Sequence, residues 1–262
     1  MSGETAMPRP ARPALLLLAL VLGLGLGLAL PASPALAEGF TAAQRAEIVG
    51  IVREALKRDP SILREALLAA DQAEGQARES ATRAAIAQHA RALFQSPEDP
   101  VRGNPEGKIT LVEFFDVRCG YCKQLQPALD QLLRRQRDVR LVLKDLPILG
   151  PNSMLASRAL LAAQAQGKYA ELYTALLGLR DEPTEPVLKR EAERLGLDWA
   201  RLRREMDDPA IARRLQTNRD LAEALRIQGT PAMLIGETLI PGAVDLATLE
   251  RLVAEQRAKQ GG

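Results

Sequence analysis

"TLVEFFDVRCGYC", residues 110–122, contains both cysteines of this 262-residue chain, Cys119 and Cys122. Ahead of them lies an apolar run interrupted by one acid, Glu113, which reads as a buried strand within "KITLVEFFD". Behind them "GYCKQLQPALDQLLRRQ", 120–136, has helical spacing. The cysteines therefore sit where a strand ends and a helix begins. A C-x-x-C pair is a metal site, a structural crosslink or a redox couple. A structural zinc needs four ligands, and there is no second cysteine pair. His89, the single histidine, lies far upstream and reads as a solvated helix residue. A crosslink closing so short a loop constrains the unfolded chain little. The redox couple remains. The unpaired N–H groups and dipole at the helix start favour a thiolate at Cys119, and Cys122, one turn on, is placed to attack a mixed disulfide formed there.

Other residues are expected to bear on that chemistry. Glu113 lies on the strand beneath the cysteines, where a buried carboxylate accepts and returns the proton of Cys122. Lys144, in the second strand-like run "DVRLVLKDLP" (138–147), is expected to pair with Glu113; the alternative for both is an exposed charge at a sheet edge. "IQGTPAM", 227–233, opens a strand at Pro231, and a cis Thr230–Pro231 bond would present backbone to an extended peptide. Arg118 puts a cation beside Cys119, favouring its thiolate unless the side chain turns to solvent. Trp199, Tyr169 and Tyr173 read as core packing.

The remaining chain supplies the setting. Arg9 and Arg12 precede a 17-residue apolar run, 14–30, that ends at Pro31 and Pro34 before "ALA", 35–37. A membrane anchor is the alternative, but three glycines, the prolines and the A-x-A ending favour a cleaved signal peptide over 1–37 and export to the periplasm. Without that leader 33 basic residues face 32 acidic ones, a balance that gives no sign of a nucleic-acid partner. Export places the cysteines where disulfides persist. Residues 38–95 read as a helical extension: one helix over 41–58 capped by Thr41, then a second from Asp59 and Pro60 to about Leu93. The apolar stripe of the second helix is narrow, so it needs a partner helix, and another subunit is preferred. "QSPEDPVRGNPEG", 95–107, reads as linker and turns. Beyond it the order is strand, helix, strand, a helical block over about 150–222, a hairpin (231–236 and 238–240) and a last helix (245–258). Such an order suits a mixed α/β sheet with helices packed on it.

With these motifs in order, residues 100–258 resemble the thioredoxin-fold proteins of the DsbA superfamily. "TLVEFFDVRCGYC" is similar to the family's first core strand and active site, and "LKDLPILGPNSMLASRALLAA" to its second core strand and entry into the helical insertion. "IQGTPAMLIGETLIPGAVDLATLERLV" is similar to its cis-proline loop, hairpin and last helix. The resemblance implies an α/β thioredoxin fold with a helical insertion over 96–262. It also implies Cys119 as nucleophile, Cys122 as resolving cysteine, Pro231 as the cis-proline, and Glu113 with Lys144 as a buried acid–lysine pair. Gly120–Tyr121 and Thr230 resemble the disulfide isomerase DsbC more than the oxidase DsbA, and the extension resembles that of suppressor-of-copper-sensitivity C-type proteins, some of which oligomerise through it. The function so implied is a periplasmic protein disulfide isomerase or reductase acting on exported proteins with cysteines. It would be kept reduced by a membrane redox partner, with no metal, no other cofactor and a possible homo-oligomer through 38–95. A DsbA-like oxidase and a Cu(I)-binding protein using the two thiolates are the alternatives.

Overall fold

The computed structural model describes residues 39–261; the leader read at 1–37 lies outside them. The described residues divide into two units, with the boundary between Leu63 and Arg64.

The first unit contains helix α1 (Ala42–Arg58) and the start of α2 (Ser61–Gln88). Thr41 and Gln44 form a capping box: the Gln44 N–H donates to Thr41 Oγ1 at 3.2 Å, and the Thr41 N–H to Gln44 Oε1 at 2.9 Å. Between the helices the Asp59 carboxylate accepts the Ser61 N–H at 3.0 Å. No residue of α1 is buried, and Ile48, Val49, Ile51 and Val52 are all exposed.

The second unit continues with α3 (Ala90–Phe94), β1 (Val101–Gly103), β2 (Ile109–Phe115), α4 (Gly120–Arg135) and β3 (Val139–Asp145). Five helices follow: α5 (Pro151–Gln164), α6 (Tyr169–Leu177), α7 (Glu185–Arg194), α8 (Trp199–Glu205) and α9 (Pro209–Ala224). The hairpin β4 (Ala232–Ile235) and β5 (Thr238–Pro241) and helix α10 (Leu246–Gly261) complete it. The sheet order is β1-β3-β2-β4-β5; only β2 and β3 are parallel neighbours, joined through α4. The hairpin turns at Gly236, where φ is +56°, a left-handed conformation that glycine adopts without strain. No helix among the described residues is long and apolar enough to cross a membrane.

Two expectations change. The long second helix is interrupted at His89, which caps the separate helix α3. The stretch expected as linker holds an edge strand: Val101, Arg102 and Gly103 pair antiparallel with Val142, Leu141 and Arg140. A three-residue strand between prolines has too short a run for period-2 patterning to register.

Alternation along the strands sorts their side chains into two cores. Ile109, Leu111 and Phe115 of β2 and Val139, Leu141 and Leu143 of β3 join Cys119, Cys122 and the apolar faces of α4, α6 and α10. Val112, Phe114 and Val142 face the other way, against Ile86, Leu93 and the C-terminal part of α9. The cysteines belong to the first face.

Candidate active site

Cys119 is the N-cap of α4 and Cys122 lies in its first turn. Asp116, the first residue past β2, fixes the approach: its carboxylate accepts the N–H of Arg118 at 2.8 Å, of Ile148 at 2.9 Å and of Leu149 at 3.0 Å. One buried carboxylate thereby ties the loop carrying Cys119 to the loop leaving β3. The sequence reading did not single out Asp116. An aspartate two residues ahead of backbone N–H groups in a turn is the signal that marks it.

Both thiols are free. Cys119 is 8 % exposed and its Sγ–H donates to the Thr230 carbonyl at 3.0 Å. The Thr230–Pro231 bond is cis, and Pro231 carbonyl accepts the Gly242 N–H at 2.9 Å, which holds the loop against β5. Cys122 is fully buried. Burial pushes its thiol far above the ordinary range, and the neighbouring charge of Glu113 pushes the same way. The two sulfurs thus have different surroundings, Cys119 slightly exposed against the Thr230 carbonyl and Cys122 wholly enclosed. Tyr121 is 65 % exposed, and a side chain placed at Gly120 would meet nothing within 4 Å. Both members of the dipeptide are therefore open to solvent at the start of α4.

Glu113 is completely buried on the cysteine face. Its Oε2 accepts the Tyr173 hydroxyl at 2.9 Å, while Oε1, also buried, has no partner. Burial raises its carboxyl to about 7, opposed by the Tyr173 bond and the Arg102 charge. Asp145, at the end of β3, repeats the arrangement. It accepts the Tyr169 hydroxyl at 2.7 Å, and burial raises it to about 7 as well. Tyr169 and Tyr173 stack at 6.3 Å, so these tyrosines are more than the core packing the sequence suggested. Each satisfies a buried carboxyl.

The expected Glu113–Lys144 pair does not form. Glu113 lies opposite Leu143, and Lys144 opposite Phe114, so the register sends the two charges to opposite faces of the sheet. Lys144 instead reaches Asp99, in a short buried contact, and donates to the Ala92 carbonyl at 2.7 Å. Burial lowers the lysine and raises Asp99, each opposed by the other's charge. Arg140, on the same face, donates to Phe94 carbonyl at 2.7 Å. Lys144 and Arg140 clamp the segment 92–99 beneath the sheet. Cys119, Cys122 and Glu113 share one face of the sheet, the Thr230 carbonyl before Pro231 reaches Cys119, Gly120 and Tyr121 open α4, and Lys144 lies on the other face.

Arg118 also finds a partner. Its guanidinium contacts Glu182 at 2.7 Å through two nitrogens and bonds the Leu149 carbonyl. Lys123 donates to the Leu179 carbonyl at 2.6 Å. Together they latch the α6–α7 loop to the start of α4, so Arg118 is a partly exposed cation paired with Glu182.

A buried carboxyl behind a C-x-x-C pair at a helix start, with the carbonyl of the residue before a cis-proline facing the first sulfur, defines a thioredoxin-type thiol–disulfide oxidoreductase fold. The comparisons agree: residues 110–254 match the model of the DSBA-like thioredoxin domain, and the chain belongs to that family. A thioredoxin-like oxidoreductase from Silicibacter pomeroyi is 39 % identical, over 64 % of this chain and 97 % of that one, with a TM-score of 0.63. ScsC of Proteus mirabilis, in a transitional conformation, is 32 % identical over 84 % of this chain and 98 % of that one, also at 0.63. Among curated proteins, the Na(+)/H(+) antiporter NhaA 3 of Salinispora tropica is 34 % identical over 66 % of this chain. The chain spans less than a third of the length of the curated relatives it matches.

Proposed function

We propose that this protein is a periplasmic disulfide isomerase or reductase that acts on exported proteins through Cys119 and Cys122. The observation that carries the reading is the asymmetry of the pair, with Cys119 slightly exposed, its sulfur 3.0 Å from the Thr230 carbonyl, and Cys122 fully buried near Glu113. Cys119, at the start of α4, attacks a substrate disulfide as its thiolate. The substrate S–S bond breaks, one substrate sulfur leaves and takes a proton, and a Cys119–substrate mixed disulfide forms. The cis-proline loop offers backbone to the extended segment that flanks the substrate cysteine.

Two exits follow. In isomerisation another substrate thiolate displaces Cys119, so bonds rearrange with no net transfer of electrons. In reduction Cys122 gives its proton to Glu113 Oε1 and attacks Cys119 Sγ. The second substrate sulfur leaves and takes the proton from Glu113, so the substrate departs as a dithiol reduced by two electrons and the pair becomes a disulfide. A membrane partner returns two electrons, and one proton restores the Cys122 thiol beside the Cys119 thiolate. Gly120–Tyr121 and Thr230 support isomerisation over oxidation. The exposed Ile48, Ile51, Val52, Leu63 and Leu67 support self-association through 38–95, which would set several nucleophiles around one substrate.

The test is refolding of a scrambled multi-disulfide protein by the reduced full chain. Catalysed recovery of native pairing is expected. No recovery, with rapid oxidation of dithiol peptides by the disulfide form, would replace the reading with that of an oxidase. Native mass by light scattering, before and after removal of 38–95, checks the assembly: an unchanged single-subunit mass removes it.

A further inference from the structure

We propose that Tyr173 is a positioning residue for the proton step: its hydroxyl ties down Glu113 Oε2 and leaves Oε1 as the oxygen that serves Cys122. The inference rests on the reading of Glu113 as the proton acceptor of Cys122 and adds what holds that acceptor in place. Lys144, the residue expected to do so, faces the other side of the sheet.

The geometry is specific. Tyr173 and Glu113 are both fully buried and 2.9 Å apart, and Oε1 is the buried, unpartnered oxygen. The tyrosine ring is held on three sides. Phe115 meets it edge-on at 4.9 Å, Tyr169 stacks at 6.3 Å, and the Arg102 guanidinium lies 5.1 Å from its centroid. Arg102 is anchored in turn on Asp130 of α4 at 2.7 Å. A ring so fixed has one direction for its hydroxyl, and a carboxyl with one oxygen bonded cannot spin about its last torsion. Burial raises the phenol well above its ordinary range, so at working pH it stays protonated and donates.

The charged and titratable groups that act on Glu113 come from each neighbouring element: Tyr173 of α6, Arg102 of β1, Asp145 of β3, and Asp130 and Cys122 of α4. Tyr173 and Arg102 favour its ionised form, whereas Asp145 and Asp130 disfavour it. Removing the phenol donor therefore shifts the carboxyl upward. Hydrogen bonds to charged groups are strong enough to make that shift about one unit.

The experiment uses the full chain labelled with carboxyl-13C glutamate, and follows the Glu113 carboxyl by NMR from pH 5 to 9. In parallel, oxidised glutathione is the probe for the rate at which the Cys119 mixed disulfide is resolved by Cys122. Tyr173→Phe keeps the ring and is expected to raise both the carboxyl midpoint and the kinetic inflection by about one unit, slowing resolution at pH 6 by up to about tenfold. Tyr169→Phe removes the equivalent bond to Asp145 and is expected not to raise the Glu113 midpoint. 3-Fluorotyrosine at position 173, a stronger donor of nearly the same shape, is expected to lower the midpoint, and it decides the matter where Tyr173→Phe does not fold. An unmoved midpoint with 3-fluorotyrosine or in Tyr173→Phe overturns the proposal. Glu113→Gln separates the two layers. If it leaves the kinetic inflection in place, the proton-acceptor reading fails and takes the proposal with it, even where the carboxyl midpoint moves. If it removes the inflection and Tyr173→Phe leaves it unmoved, the acceptor stands and the Tyr173 role is lost.

Discussion

Replacing Lys144 by methionine separates a structural from a chemical role for this residue. The Lys144 and Asp99 side chains are 2 % and 3 % exposed, and the ammonium also satisfies the Ala92 carbonyl. Lys144→Met therefore leaves the buried Asp99 carboxylate with only the Arg214 guanidinium, 3.8 Å away, and a carbonyl without its donor. Removal of one member of a buried pair costs about 3–5 kcal/mol. With a urea slope of about 2 kcal/mol per molar for a domain of this size, the unfolding midpoint drops by about 2 M. Trp199, the single tryptophan, packs partly buried against the main core and gives the fluorescence readout. Adding Asp99→Leu is expected to restore most of the loss, because a well-packed apolar pair avoids the desolvation that the ion pair bears. Thiol exchange per folded molecule should keep the wild-type pH inflection, since Lys144 sits on the opposite face from Glu113. A midpoint that moves by less than about 0.5 M, together with a shifted inflection, would refute the reasoning and return Lys144 to the proton step.

Stability should also depend on pH through the other face. Glu113 titrates at about 7 when folded against 4.5 ordinarily, and Asp145 at about 7 against 3.8. Between those values the folded protein holds protons that the unfolded chain has shed, so both groups stabilise most below about pH 4 and lose that contribution as pH rises to 7. Glu113→Gln should therefore show a smaller fall in thermal midpoint from pH 5 to 7.5 than the parent; an equal fall would mean Glu113 is not the buried acid. Cys122→Ser is expected to accumulate Cys119–substrate mixed disulfides, visible by mass spectrometry, whereas Cys119→Ser should form none and lose exchange by a factor of a thousand or more. Trapping at position 122 instead would reverse the assigned roles. Glu182→Gln frees the α6–α7 loop from Arg118 and should speed amide exchange over 179–183 with the melting midpoint unchanged. Unaltered exchange there would show that Lys123 alone holds the loop.

The sequence carried the catalytic face further than the opposite one, and the reason is range. Strands β2 and β3, helix α4 and the Thr230–Pro231 loop were legible because their cues lie within a few residues: apolar runs bounded by turns, a C-x-x-C pair at a change of period, a proline after Gly-Thr. The orientation of Glu113 relative to Lys144 was not. Within each strand alternation fixes which residues share a face. However, β2 and β3 are apolar on both faces, so hydrophobicity does not say which face of one aligns with which face of the other. The answer lies in the pairing of Glu113 with Leu143, a contact across 30 positions that leaves no local trace. The same holds for Asp99, hidden in a Pro-rich stretch that reads as a solvated turn, and for Tyr173, whose hydroxyl meets Glu113 from 60 residues away. Buried charge needs a partner wherever the fold can supply one. Here the lysine is committed to holding 92–99 beneath the sheet, so the acid above it is satisfied by a neutral phenol. A phenol leaves the carboxyl near 7, where an ammonium bonded to it would hold it down and ionised. The substitution of partner is thus a difference in chemistry as well as in packing: it places the acid behind Cys122 on the titrating side of neutrality.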